Sequence, residues 1–266
     1  PGPASPARAA VGAVAAELSG VGLDDVLEAA ALQTRVDRKY LVPVQDFRRL
    51  GAELTGFQVL QIAGLRSFRY ESVYFDTSSL ALYRQHLQGR RRRYKVRTRT
   101  YVESGETMFE VKLKGHRGRT VKERMSHPVE ERYQITPTAR AFLDRLLAQE
   151  YGERAPDLAP SVTTTYSRTT FVDLAGGARL TCDVDLVCRA GAIRGTPGDH
   201  VLVESKADGA GGRADAVLRR LGVRPVSVSK YCVGVALLHP GVPVNPWHRT
   251  LRRHFDYDAT STAVAG

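Results

Sequence analysis

The sequence predicts an α+β fold: a mostly antiparallel sheet of about eight strands, closed into a barrel, with helices packed outside it and at its ends. Three observations carry this expectation. Eight segments of strand length alternate charged or polar residues with apolar ones, the period of two of a strand whose faces differ. Several are joined by turn-length connections, which suit antiparallel neighbours. Helix-patterned stretches lie before, between and after them, and an amphipathic helix needs an apolar sheet face to rest on. A closed barrel of about eight strands holds its own side chains or one small ligand.

The elements follow in order. Residues 1–20 read as a loosely ordered lead-in, and "LDDVLEAAAL", 23–32, as a short helix. "TRVDRKYLV", 34–42, is the first strand, and Pro43 opens a helix through "VQDFRRLGAEL". "SFRYESVYFDT", 67–77, is a strand, and "SSLALYRQHLQG", 78–89, a helix with a Ser cap and a terminal Gly. Strands follow near 92–102, 107–114 and 119–126, with Gly105 at the tip of the first hairpin and His116, to which no role is given, at the tip of the second. "TPTARAFLDRLLAQEYG", 136–152, has Phe142, Leu143, Leu146 and Leu147 on one side and is the strongest amphipathic helix. Strands 162–173 and 178–187 are joined by "LAGGA", another strand begins at His200, and a helix covers 213–221. "VSVSKYCVGVALLHP", 226–240, enters a helix after Ser227 or Ser229. This divides the chain into a lead-in with a short helix over 1–32, a compact domain over 33–240, and a tail over 241–266 that is rich in polar and small residues and expected to be partly disordered.

Composition narrows the functional classes. The chain of 266 residues carries 39 Lys and Arg against 28 Asp and Glu, a formal charge of +11, which implies an anionic partner: nucleic acid, a membrane surface or a phosphate-rich ligand. Cys182, Cys188 and Cys232 form no C-x-x-C pair, so neither a zinc site nor a disulfide framework is indicated, and they read as reduced thiols of a cytoplasmic protein. No run of about 18 apolar residues is present to span a membrane. The Ala/Gly-rich stretch 7–23 contains Glu17 and lacks the order of regions of a signal peptide.

The charged faces carry the chemistry. In "YKVRTRTYVESGETMFEVKLKG", 94–115, Lys95, Arg97 and Arg99 share one strand face, and Glu110, Lys112 and Lys114 share another, with apolar residues opposite. The same spacing pairs Asp37 with Lys39, Lys122 with Arg124, Tyr166 with Arg168, Arg179 with Asp183 and Asp185, and Glu204 with Lys206. Charged faces of antiparallel sheets ordinarily meet water. Here Arg dominates several of them, and helices such as 136–152 need the apolar faces, so the cations are expected to point inward and line a tunnel. Unpaired desolvated cations cost several kcal/mol each in effect, on the order given for buried ions. A polyanion offsets that cost: Arg pairs with phosphate oxygens through two parallel hydrogen bonds and Lys supplies a point charge. A carboxylate among the cations, Glu204, can hold a divalent metal bridging phosphate oxygens.

The ordered set "DRKYLV", "YFDT", "VRTRTY", "FEVKLK", "TVKERM", "YSRTTF", "ARLTCDVDL", "VLVESK" and "VSKY", over roughly residues 33–238, resembles the VTC domain, the polyphosphate polymerase branch of the triphosphate tunnel metalloenzyme (CYTH-like) superfamily. The resemblance implies a triphosphate tunnel fold. It implies phosphate-binding catalytic roles for Lys39, Arg97, Arg99, Lys112, Arg168 and Arg179, substrate-binding roles for Lys122 and Lys230, and a metal-binding role for Glu204 with Mn²⁺ or Mg²⁺; Lys114 and Lys206, on the same charged faces as Lys112 and Glu204, are expected to bind substrate as well. Two departures stand out. Ser227 replaces the first Lys of the family's last motif, and the wider superfamily's E-x-E-x-K reads Arg35-x-Asp37-x-Lys39.

By the same resemblance the activity is phosphoryl transfer from ATP onto a growing polyphosphate chain. ATP and inorganic polyphosphate are the expected partners, with no nucleic acid. Location is cytoplasmic, with membrane association through a membrane-protein partner, and the oligomeric state is open. Two alternatives remain: a triphosphatase of the same fold, which needs inward carboxylates to orient water, and a non-catalytic module that binds polyphosphate or nucleic acid through "GRRRRYK", 89–95.

Overall fold

The computed structural model describes residues 4–31, 36–115, 119–195, 198–207, 209, 211–255 and 257. Arg35 and His116 lie outside the described residues. The elements are α1 (Pro6–Glu17), β1 (Gly20–Val21), α2 (Leu23–Ala31), β2 (Val36–Pro43), α3 (Val44–Ala52), β3 (Gln58–Leu60), β4 (Phe68–Asp76), α4 (Ala81–Leu87), β5 (Tyr94–Tyr101), β6 (Thr107–Lys114), β7 (Thr120–Ser126), α5 (Pro137–Tyr151), β8 (Ala159–Asp173), β9 (Ala178–Ala190), β10 (Ala192–Gly195), β11 (His200–Ala207), α6 (Arg213–Arg220), α7 (Lys230–Leu238) and α8 (His248–His254).

The α+β class holds, with one large sheet. Its main path runs β2-β11-β9-β8-β4-β5-β6-β7, and every neighbouring pair along it is antiparallel. The path contains the eight expected strands. Short β1, β3 and β10 join beside it, bringing the sheet to eleven. The expected closure does not occur: among the described residues β2 and β7 are edges and do not pair with each other. A physical reason lies in what they carry. Both present inward cations, Lys39 on β2 and Lys122 and Arg124 on β7, and like charges brought opposite one another destabilise a ladder. Charged edges also resist further pairing.

The outer face of the sheet is apolar and covered. Phe109, Val111 and Leu113 of β6 and Val96 of β5 pack with Leu143, Leu146 and Leu147 of α5. That helix starts where the Thr136 hydroxyl accepts from the Ala139 amide, with Pro137 behind it, and ends at Gly152 with φ 72°. At the other end of the sheet Tyr40, Val42, Leu180, Cys182, Val201 and Val203 pack against α1, α3 and α6.

The concave face changes character along its strands. Lys39 is followed two residues on by Leu41, and Glu204 is preceded by Leu202; the apolar half is filled by α7 and α8, whose Tyr231, Val235, Trp247 and Leu251 join Leu41, Leu202, Tyr74 and Tyr166 in one cluster. α7 begins at the later of the two expected caps, Ser229, whose hydroxyl accepts from the Cys232 amide.

Three local expectations are corrected. The lead-in is the helix α1, whose Ala7, Ala10, Val11, Val14 and Ala15 are buried. Its small residues allow close approach: a Cβ on Gly51 of α3 would stand 2.4 Å from a Val14 methyl. α4 has no Ser cap. Its first amides are met by the Thr77 hydroxyl (Ala81, 2.9 Å) and by the Asp76 carboxylate (Leu82, 2.8 Å; Tyr83, 3.0 Å). The compact part also extends beyond 240, since Val244, Trp247, Leu251 and Phe255 are buried. Removing a buried Trp side chain typically costs about 3–5 kcal/mol. Trp247→Ala is therefore expected to lower unfolding free energy in urea by about 3 kcal/mol, and an unchanged midpoint would mean that the C-terminal segment does not dock.

Candidate functional site

The polar half of the concave face encloses a cavity of about 470 Å³. Its cations are Lys39 from β2, Lys95, Arg97 and Arg99 from β5, Lys112 from β6, Lys122 and Arg124 from β7, Arg168 from β8, Arg179 from β9, Lys206 from β11 and Lys230 from the first turn of α7. Two lining carboxylates, Glu110 and Glu204, accompany them. Strand pleating puts the strand residues among them together, because each lies at the inward parity of its strand, and α7 adds Lys230 from outside the sheet.

Ten of the eleven residues singled out from the sequence line this cavity: Lys39, Arg97, Arg99, Lys112, Lys122, Arg168, Arg179, Glu204, Lys206 and Lys230. Lys114 does not. It stands at the end of β6, where its ammonium donates to the Thr120 hydroxyl at 2.9 Å. Lys95 and Arg124 line the cavity as well, and the alternation that marked their neighbours marks them equally. Glu110 and the tyrosines Tyr70, Tyr74, Tyr101 and Tyr166 are also part of the lining. Arg90, Arg91 and Arg92 of the basic run lie exposed outside it.

The register sets out rows of charge across the strands. Arg97, Glu110 and Arg124 form one row, a carboxylate between two arginines. The next row is Lys95, Lys112 and Lys122, three lysines opposite one another. Burial pulls the pKa of each of these lysines below its ordinary value, and neighbouring cations add to the fall. Lys122 finds relief by reaching Glu110 at 3.0 Å, and Lys95 donates to the Ser229 hydroxyl at 2.9 Å.

Three carboxylates tie six of the remaining cations. Glu110 accepts from Arg97 at 2.7 Å and has Arg99 at 3.8 Å. Burial alone would raise its pKa, but Arg97 and Lys122 outweigh that and hold it below the carboxylate range. Asp183, behind the lining, accepts from Arg168 at 2.6 and 2.8 Å and from Lys230. Burial opposes its ionisation too, and Arg168 and Lys230 overcome it. Glu204 meets Lys39 at 3.4 Å and Lys206 at 3.2 Å; against burial, these two and the more distant Arg168 and Lys230 hold it well below its usual value. The arginines also rest on aromatic faces: Arg168 over Tyr70 and Tyr166, Arg97 over Tyr74 and Arg99 over Tyr70.

The donor set for a metal is thin. Among the described residues no cluster of three His, Cys, Asp or Glu side chains could hold one. Glu204 nevertheless suits Mn²⁺ or Mg²⁺ of the kind that uses one or two protein carboxylates and completes its shell with phosphate oxygens and water. Its pKa is held well below its usual value, it is 20 % exposed, and it borders the cavity beside Lys206, which also meets Asp37.

A sequence profile of the VTC domain matches residues 34–239, which span every strand of the main path. The chain belongs to the VTC domain family. Searching curated proteins by sequence finds no match. Solved structures resemble the VTC chain at low identity. One is a candidate adenylate cyclase from Vibrio parahaemolyticus, at 14 % identity and TM-score 0.43, covering 76 % of this chain and 98 % of the other. A second is a candidate adenylyl cyclase from Hippeastrum for which a dominant triphosphatase activity is described, at 14 %, TM-score 0.46, 76 % and 95 %. A third is the PH1819 protein of Pyrococcus horikoshii, at 15 %, TM-score 0.42, 74 % and 93 %. Among the described residues of this VTC chain no helix is long and apolar enough to cross a membrane.

The three carboxylates make stability depend on acid. A group whose folded pKa is depressed stabilises the fold above its unfolded pKa, and that contribution is lost as pH falls toward the folded value. Glu110, Asp183 and Glu204 are all depressed from ordinary values of 4.5, 3.8 and 4.5. Unfolding free energy is therefore expected to drop progressively below about pH 4.5, and Glu110→Gln to flatten that acid limb. A limb of unchanged slope in the variant would remove Glu110 from this account.

Proposed function

We propose that this chain is a polyphosphate polymerase, a phosphotransferase that moves the γ-phosphoryl group of ATP onto the end of a polyphosphate chain within the cationic cavity. The observation that carries the reading is the row Lys95, Lys112 and Lys122. Three adjacent lysines leave a site in need of an anion with several charged oxygens in line, and a phosphate chain repeats such oxygens along its length. Membership of the VTC family supports the same substrate class.

The residues do their work mainly by positioning and by charge. Arg97 and Arg168, held by Glu110 and Asp183, present guanidinium edges to phosphate oxygens. Lys39, Lys112, Lys122, Lys206 and Lys230 add point charges, and Arg99 and Arg179 extend the same wall. The terminal oxygen of the chain attacks the γ-phosphorus, the bond to the β,γ-bridging oxygen breaks, and ADP leaves with that electron pair. The attacking oxygen is already anionic, so no side-chain base is needed. Glu204 would hold Mn²⁺ or Mg²⁺, which supplies charge neutralisation across phosphate oxygens when bound. A cytoplasmic setting beside a membrane-protein partner, and discrimination against nucleic acid, belong to this proposal.

Incubating the purified protein with ATP and Mn²⁺ tests it directly. Long polyphosphate chains are the expected product, and release of free phosphate without chains would turn the assignment to a triphosphatase. Lys39→Ala, Arg97→Ala and Arg168→Ala are each expected to lower turnover by roughly a hundredfold, the scale for losing one donor to developing charge. Wild-type rates in all three would sink the site assignment. Glu204→Gln is expected to abolish the response to Mn²⁺, and an unaltered metal titration would move the ligand elsewhere.

A further inference from the structure

We infer that Asp183 is a positioning residue: from behind the cavity lining, its carboxylate locks Arg168 of β8 and Lys230 of α7 into one rigid cationic unit facing the phosphates. The inference rests on the polyphosphate reading of the cavity and concerns a residue outside its lining.

Geometry carries it. The Asp183 side chain is 2 % exposed, and both oxygens are occupied. Arg168 donates its Nε to Oδ1 at 2.6 Å and an Nη to Oδ2 at 2.8 Å, a two-point grip that fixes the guanidinium plane. Lys230 donates to the same Oδ2. Arg168 and Asp183 are direct cross-strand partners, whereas Lys230 opens a helix that belongs to no strand. Asp183 thus joins the sheet wall to α7 at the boundary between the polar and apolar halves of the concave face. Aromatic rings complete the mount. Tyr70 and Tyr166 stack with centroids 5.3 Å apart, Arg168 lies over both, and the Lys230 ammonium stands 4.2 Å from the Tyr166 centroid.

Glu204, 20 % exposed, borders the cavity and can meet a ligand; Asp183, 2 % exposed and hydrogen-bonded at both oxygens, acts through its two partners. Their rotamer freedom is removed before the ligand arrives, which lowers the cost of ordering them around a phosphoryl group in transfer. The sign of the charge makes this distinguishable from a plain structural role. Asp183→Asn deletes one negative charge near a polyanion site. Net positive charge then rises by one, or stays level if Lys230 sheds a proton, so ground-state attraction for ATP is kept or strengthened. Orientation of Arg168 and Lys230 is lost. Turnover and substrate affinity are expected to part ways.

The test uses the full chain with ¹⁵N-labelled arginine and a kinetic assay with ATP and Mn²⁺. The Arg168 Nε–H resonance, assigned by its loss in Arg168→Lys, is expected to be sharp and protected from exchange in the wild type and broadened away in Asp183→Asn. A protected Arg168 signal that persists in Asp183→Asn would overturn the inference. In kinetics, Asp183→Asn is expected to lower kcat at least tenfold while KM for ATP stays within threefold or falls. A parallel loss of kcat and affinity that tracks a lowered Tm would also overturn it, by reducing Asp183 to a structural role. Should Asp183→Asn fail to fold, Lys230→Met keeps the Asp183–Arg168 pair and is expected to retain the protected signal. The double variant Asp183→Asn/Lys230→Met, which buries no unpaired ammonium, is expected to lose it, and retention there counts against the inference. If the wild type forms neither polyphosphate nor free phosphate from ATP, the polymerase reading fails, and the resonance still decides the role of Asp183.

Discussion

Repulsion among cations on one concave wall is the constraint around which this structure is arranged. Unit charges about 5 Å apart repel by about 3 kcal/mol at an effective dielectric constant of about 20. The inward faces of β5, β6 and β7 carry such neighbours in register at Lys95, Lys112 and Lys122. Partial relief comes from Glu110, which sits between Arg97 and Arg124 in the adjacent row and reaches Lys122. What holds the strands in place against the remaining repulsion is the opposite face. Phe109, Val111 and Leu113 alternate with the charged residues of β6 and are fully buried under α5. Each pleat therefore joins an unfavourable inward charge to a favourable outward contact, and the wall cannot relax by turning a strand without exposing that core.

Most of this was legible as period-two alternation. The parity of Lys39, Arg97, Lys122, Arg168, Arg179, Glu204 and Lys206 assigned each to a charged face, and the need of helix 136–152 for an apolar support turned those faces inward. Parity marks a face but not how far along the strand the cavity extends, so Lys114 shared the pattern of Lys112 yet ends beside Thr120. Closure was not readable because it depends on how two strands some 80 residues apart in sequence meet, and the cations of β2 and β7 disfavour that meeting. The capping of α4 was misread for a related reason: Asp76, the last residue of β4, does the work of the adjacent serines while also accepting from Tyr231 of α7, a contact across 155 residues. Low-complexity stretches misled in the other direction. Ala- and Gly-rich residues 6–17 form a helix because small side chains let it lie close against α3.

The division of the concave face bears on how the site can work. Its apolar half is filled by α7, and Ser229 and Lys230 stand where that filling meets the cavity. The most exposed of the lining cations, Lys112, Lys122 and Arg124, lie on β6 and the edge strand β7, away from that plug. A polyanion thus meets the more exposed Lys112, Lys122 and Arg124 first and the arginines gripped by buried carboxylates deeper in. Under the proposed activity, that order suits a chain that must slide. Ammonium groups at the exposed rim can exchange anionic partners readily, while Arg97 and Arg168, gripped by buried carboxylates and resting on tyrosine rings, keep fixed directions. Were the gradient reversed, with locked arginines at the rim, a chain would be caught at entry and the deeper lysines would face water or one another. The unclosed edge between β2 and β7 then follows from the same inward cations that line the cavity, and under the proposed activity it would leave the exposed side of the wall open to a chain longer than the cavity itself.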